Sequence, residues 1–215
     1  MSISGIYCIT NGKDAAETIN QAQAAFHAKA DALQIRCKNL PSEEMKNLVT
    51  ALENSGIPDS TSLIINDFSE ISQNSAKAGL HIGQTDGPPS GARSLLGNKK
   101  VIGLTVNEAD DIRKEDLEDV DYVGLGPYKF TNTKDSIKPL LGLEGTRLLA
   151  RKIRSLKEIP VFAIGGIELR DIKTLAKEPD IQGLAVSSAI WNTSDPAETI
   201  KEFKEYWRKY AEDSR

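Results

Sequence analysis

Eight short apolar runs, each followed by a longer amphipathic segment, constrain this chain more than any other feature. The runs occupy residues 5–10, 32–37, 62–66, 80–83, 101–106, 122–126, 160–165 and 183–187. They are rich in Ile, Val and Leu and do not alternate strictly, the pattern of strands covered on both faces of a parallel sheet. Helical periods fall between them, at 14–30, 42–54, 68–78, 91–96, 107–118, 142–156, 169–177 and 195–210. Asp14 and Asp195 stand where N-caps belong, Pro196 follows at a first helical position, and Ser42-Glu43-Glu44 supplies a cap with first-turn acids. The charged stretch after Trp207 reads as a frayed helix end. A βα unit repeated about eight times predicts an α/β protein built as a single (β/α)8 TIM barrel, one domain over residues 1–215. A doubly wound open sheet shares the periodicity, but no dinucleotide fingerprint accompanies the strands.

Composition removes several function classes. With 39% hydrophobic and 27% charged residues the chain is neither disordered nor membrane-like. No apolar run approaches the ~18 residues of a membrane span, and the first ten residues lack a leader's basic and apolar regions. The expected setting is cytoplasmic, without membrane partners. A net charge of −4 argues against a nucleic-acid binder and leaves room for a local cationic pocket. Cys8 and Cys37 have no metal-ligand spacing and read as two buried free thiols.

In such a barrel the working residues sit at the carboxyl ends of the strands and in the loops beyond them. At the second strand, alternation in Gln34-Ile35-Arg36-Cys37-Lys38 puts Gln34, Arg36 and Lys38 on one side. An inward Arg and Lys would be costly without an anionic partner. The third strand ends in Asn66-Asp67, and the fourth leads through His81 to Asp86. The two carboxylates could share a magnesium ion, which takes one or two carboxylates plus substrate phosphate oxygens. Separately, Asp67 could cap a helix and Asp86 could close an Asp-Gly turn. His81 reads as a hydrogen-bonded pocket wall.

The fifth strand ends in Thr105-Val106-Asn107. The sixth passes through Gly126-Pro127 to Thr131, Asn132, Thr133 and Lys134, a loop of hydroxyl and cationic donors suited to an anion. The seventh ends in Gly165-Gly166 and the eighth in Ser187-Ser188, the loops where such barrels commonly take phosphate. The residues thus predict two anion sites at one mouth, a diphosphate with magnesium beside strands two to four and a monophosphate beside strands seven and eight.

Ala32–Lys38 as a block, Ile64-Ile65-Asn66-Asp67, Gly79-Leu80-His81-Ile82-Gly83-Gln84-Thr85-Asp86 and Gly124-Leu125-Gly126-Pro127 with Thr131-Asn132-Thr133-Lys134 resemble the signature blocks of thiamine phosphate synthases. Ala163-Ile164-Gly165-Gly166-Ile167 and Ser188-Ala189-Ile190 match the two remaining blocks in order. The resemblance spans essentially the whole chain. It implies a transferase of thiamine biosynthesis, joining 4-amino-2-methyl-5-hydroxymethylpyrimidine diphosphate to a thiazole phosphate by a dissociative route with Mg2+ as cofactor. By position, Gln34, Arg36, Lys38, Asn66, Thr105 and Lys134 would hold the pyrimidine diphosphate, with Arg36, Lys38 and Lys134 as the catalytic cations. Ile35 and Cys37 are counted with that substrate-binding stretch, although alternation turns Cys37 away. Asp67 and Asp86 would bind the metal. Thr131, Asn132, Thr133, Gly166, Ser187 and Ser188 would hold the thiazole phosphate. Partners are then the two small-molecule substrates, and a homodimer is compatible with the sequence.

The chain departs from the family pattern at Cys37, at Thr105 in place of the commoner Ser, and at Asn107. A related thiazole tautomerase would want a histidine near the sixth-strand loop, where this chain has Pro127; its histidines are His27 and His81. A non-catalytic phosphate-ligand sensor on the same barrel would be expected to lose the carboxylates or Lys134, and both are present.

Overall fold

The computed structural model describes residues 3–38, 40–130 and 139–212. Its strands are β1 (Gly5–Ile9), β2 (Ala32–Ile35), β3 (Ser62–Asn66), β4 (Gly79–Ile82), β5 (Ile102–Val106), β6 (Tyr122–Leu125), β7 (Val161–Ile164) and β8 (Gly183–Val186). All pair in parallel with their sequence neighbours, and β8 returns to β1, closing the barrel. Each apolar run of the sequence became one strand.

Nine α-helices lie among the described residues: α1 (Ala15–His27), α2 (Ser42–Asn54), α3 (Ser69–Asn74), α4 (Pro89–Leu96), α5 (Lys114–Glu118), α6 (Gly142–Leu156), α7 (Ile172–Leu175), α8 (Ser188–Trp191) and α9 (Pro196–Glu212). Asp14 caps α1 by accepting from the Glu17 amide, and Asp195 accepts from Glu198 N at the start of α9. Three expectations need correcting. Ser42 is the first residue of α2, after Pro41, and makes no side-chain cap. The 68–78 helix shortens to α3 because the Glu53 carboxylate gathers Ser75 Oγ and the amides of Ala76 and Lys77 into a turn. The 107–118 helix breaks because Asp111 folds back onto the amides of Asn107 and Glu108. As expected, the charged stretch after Trp207 belongs to the end of the last helix, α9, described to Glu212 with Tyr210 packed against the core.

Strand alternation divides the core into two. Outward residues such as Leu33, Ile35, Ile65, Leu80, Val123 and Leu184 meet the helices. Inward residues Tyr7, Ile9, Ala32, Ile64, Tyr122, Phe162 and Ala185 fill the barrel. The Tyr7, Tyr122 and Phe162 rings meet edge to face with centroids 5.5–5.8 Å apart, each pair adding about 0.5–1.5 kcal/mol beyond area burial. Glycines give these rings room. A Cβ on Gly103 would lie 2.0 Å from Tyr122 Cζ, and one on Gly183 would lie 2.4 Å from Phe162 Cε1. Cys8 and Cys37 are buried free thiols, and among the described residues no helix is long and apolar enough to cross a membrane.

Candidate active site

The carboxyl end of β2 is fixed by Thr10, which sequence reasoning missed. Its backbone amide donates to Gln34 O at 3.0 Å. Its hydroxyl donates to Arg36 O at 2.9 Å and accepts from Arg36 N at 2.8 Å. The hydroxyl thus stands in for one rung of the ladder past the end of β1. This holds the backbone that carries Arg36 and Lys38 to the mouth.

Beside it lies a cavity of about 330 Å³ lined by Arg36, Cys37, Lys38, Leu40, Met45, Asn66, Asp67 and Phe68. Four of the predicted diphosphate and metal residues therefore share one wall set, drawn from the ends of β2 and β3. Asp67 carries a left-handed backbone, φ 68°, uncommon for a residue with a side chain and found disproportionately at functional sites. It is not an N-cap, because α3 starts at Ser69 and Phe68 precedes it. Asp86 accepts from Gly83 N at 2.7 Å, closing the turn after β4. It is exposed and outside the cavity lining. The described residues contain no group of three or more metal-ligating side chains.

Two members of the predicted substrate stretch turn their side chains away from the barrel axis. Ile35 is fully buried among the outward core residues. Cys37 reaches the cavity wall, but its thiol turns away to donate to Gly12 O at 3.4 Å. Both side chains obey the period of two that also turns Gln34 inward.

Inside the mouth, Gln34 and Thr105 are buried. Gln34 Nε2 donates to Tyr7 Oη at 2.8 Å, while Thr105 Oγ1 lies 2.8 Å from His81 Nε2. Gln84 Nε2 donates to Thr105 O at 2.6 Å. Asn107, whose role the sequence left open, is buried and donates through Nδ2 to Gly126 O, holding the β6 end next to the cis Gly126–Pro127 peptide. Burial raises the Tyr7 and Tyr122 phenols above their ordinary range, so both remain protonated.

On the opposite side, Gly165 and Gly166 have φ 96° and 64°, conformations glycine adopts without penalty. A Cβ on Gly166 would meet Phe130 O at 2.5 Å and Lys129 Cβ at 2.9 Å. The start of the β6 loop therefore lies directly on this turn. Tyr128 N and Lys129 N donate to Ile164 O and Gly165 O, and Lys129 Nζ reaches Asp171 Oδ1 at 2.5 Å. Next to it, Ser187 precedes α8 with its Oγ buried and without a hydrogen-bond partner, alone in this among the described side-chain atoms. Ser188 is the first residue of α8. Thr131, Asn132, Thr133 and Lys134 lie outside the described residues.

Residues 6–190 match the family model for thiamine monophosphate synthase. The chain is 33% identical to a thiamine-phosphate synthase of Flavobacterium psychrophilum, over 89% of this chain and 93% of that one. It is 34% identical to the thiamine-phosphate synthase of Bacteroides fragilis, over 90% and 95% respectively. Among solved structures, a thiamine phosphate pyrophosphorylase from Pyrococcus furiosus superposes with a TM-score of 0.81 at 24% identity, covering 97% of this chain and 98% of that one, a likeness of fold.

Proposed function

The chain belongs to the thiamine monophosphate synthase family, transferases of thiamine biosynthesis, and from that premise we propose how its residues divide the reaction. A hydroxymethylpyrimidine diphosphate lies along the β2 and β3 ends, and a thiazole phosphate lies over the β7 and β8 turns. The observation that carries this division is the cavity shared by Arg36, Lys38, Asn66 and the strained Asp67.

Arg36 and Lys38 neutralise the diphosphate and stabilise the charge that grows on it as the C–O bond to the pyrimidine methylene breaks. Lys134 is the third cation of the set. Gln34, Asn66 and Thr105 orient the pyrimidine, whose ring stabilises the departing cation. The thiazole nitrogen captures that cation once Gly166, Ser187, Ser188 and the Thr131–Thr133 loop hold its phosphate. No side chain acts as nucleophile, so the protein's work is positioning and electrostatics. Asp67 and Asp86 would hold Mg2+, which when bound supplies further charge stabilisation to the leaving diphosphate. The donor set fits a magnesium ion that arrives with its substrate, since this metal uses few protein carboxylates and completes its shell with phosphate oxygens and water.

Pyrophosphate release is the test. It is expected to require both substrates and to be abolished by EDTA. Binding of each substrate without release would favour a sensor or the tautomerase.

The unpartnered Ser187 hydroxyl is explained by the same reading, as a donor reserved for phosphate. Ser187→Ala is expected to weaken thiazole phosphate binding by about tenfold. The free protein's stability should stay level or rise by up to about 1 kcal/mol, because an unsatisfied buried hydroxyl is removed. Titration calorimetry and thermal melting check the two signs, and a destabilised variant with unchanged phosphate affinity would refute the assignment.

A further inference from the structure

A polar chain crosses the barrel interior beneath the mouth. Gln34 Nε2 donates to Tyr7 Oη at 2.8 Å, and the Tyr7 and Tyr122 hydroxyls are 2.8 Å apart. Tyr122 Oη lies 2.9 Å from His81 Nδ1, and His81 Nε2 lies 2.8 Å from Thr105 Oγ1. Four bonds thus connect residues of β2, β1, β6, β4 and β5. The ends, Gln34 and Thr105, stand at the strand termini; Tyr7, Tyr122 and His81 between them are buried.

Proton counting leaves this chain few arrangements. Each phenol carries one proton, and a neutral imidazole donates from one nitrogen and accepts at the other. With Gln34 Nε2 donating, Tyr7 must donate to Tyr122, Tyr122 to His81 Nδ1, and His81 Nε2–H to Thr105 Oγ1. The Thr105 proton is then left for the mouth, and so is the Gln34 carbonyl. Turning the Gln34 amide by 180° reverses all four bonds and exchanges donor for acceptor at both ends. With His81 neutral, neither end can switch without the other, and in a low-dielectric interior such bonds polarise one another.

We propose that Tyr7, Tyr122 and His81 are a positioning relay that locks Gln34 and Thr105 into one joint hydrogen-bond polarity, selecting an aminopyrimidine over its oxo counterpart. The inference rests on the reading that Gln34 and Thr105 face the pyrimidine. An acceptor on the β2 side and a donor on the β5 side complement an amino N–H and a ring nitrogen. The lactam form of an oxopyrimidine presents a carbonyl and a ring N–H, the opposite pattern. A site that hydrogen-bonds its substrate discriminates through the groups a wrong ligand leaves unpaired. The relay makes that penalty fall at both ends together.

The test compares the wild type with Tyr7→Phe, Tyr122→Phe and the double variant, using 4-amino and 4-oxo pyrimidine diphosphates. Each phenylalanine keeps the ring and removes only the link. Each single variant is expected to lose about tenfold in kcat/KM for the amino substrate, chiefly through its KM, with the KM for thiazole phosphate unchanged. Discrimination against the oxo substrate narrows accordingly. The double variant loses no more than the worse single one, because a broken chain is not broken further by a second cut. Additive losses, or equal losses for both pyrimidines, would overturn the relay. Nitrogen-15 histidine spectra decide the same point without turnover, since only His27 and His81 contribute. His81 is expected as a single neutral tautomer that becomes mixed in Tyr122→Phe. A charged His81, or one indifferent to that substitution, contradicts the proposal. Absence of wild-type turnover with the expected spectra would instead count against the assigned reaction.

Discussion

In the Asp67→Asn variant, pyrophosphate release is expected to fall by about 10²–10³-fold, the scale on which removing one preorganised stabilising group acts, while thiazole phosphate binding is unchanged. The substitution is informative because its structural cost is small. Asparagine is nearly isosteric and is among the residues that best tolerate the left-handed φ of 68° recorded here. The fold, the Asp67 N–H bond to His81 O at 3.0 Å and the neighbouring cavity wall should therefore persist. What disappears is a full negative charge beside Arg36 and Lys38. If Asp67 were only a turn residue, asparagine would keep the turn and leave turnover nearly intact. If it holds a cation for the diphosphate, turnover collapses and raising Mg2+ recovers part of it. Thiazole phosphate titration separates this from global damage, since its proposed site lies across the mouth. Turnover within threefold of wild type would sink the assignment.

The fold was legible because a parallel barrel buries its strands on both faces, so each strand leaves a continuous apolar run such as Ser62–Asn66 or Tyr122–Leu125. Helix boundaries were less legible where one side chain reached across to another segment's backbone. Glu53 ending α3 is a tertiary capture that no local propensity records, whereas Asp111 pairs with Glu108 in a local capping box that the periodicity passes over. In the site, period two alone turned Gln34 in and the Ile35 and Cys37 side chains out, which leaves the latter two only their backbone to offer a substrate. Tyr7 and Tyr122 were overlooked because their rings sit inside apolar runs, where a phenol counts as hydrophobic. The signal available was stereochemical. A buried tyrosine needs a partner for its hydroxyl, and two inward tyrosines with an inward His81 can supply one another. Thr10 was hidden for a similar reason, since a hydroxyl replacing a ladder rung looks in sequence like a strand's last residue.

Gly103→Ala is expected to destabilise the protein by about 3 kcal/mol, at the upper end of the cost of overpacking, lowering the melting temperature by roughly 6–12 °C for a chain of this length. The added methyl would clash at 2.0–2.4 Å with Cζ, Cε1 and Oη of Tyr122, the residue registered opposite Gly103 across β5 and β6. The ring has little freedom to yield. Tyr7 and Phe162 pack edge-on against it, and its hydroxyl is bonded to Tyr7 and His81. Gly103 is not among the residues with positive φ, so its requirement is for space and not for an unusual backbone. The two causes are separable. Leucine at 122 has no atom at the Cε or Cζ positions, so Gly103→Ala in a Tyr122→Leu background should cost less than 1 kcal/mol. Equal destabilisation in both backgrounds, measured by denaturant unfolding, would mean that the glycine answers to its own backbone. A cost confined to the tyrosine background would show that the barrel keeps a glycine on β5 so that a phenol from β6 can cross its centre, joining the packing of the core to the hydrogen bonds of the mouth.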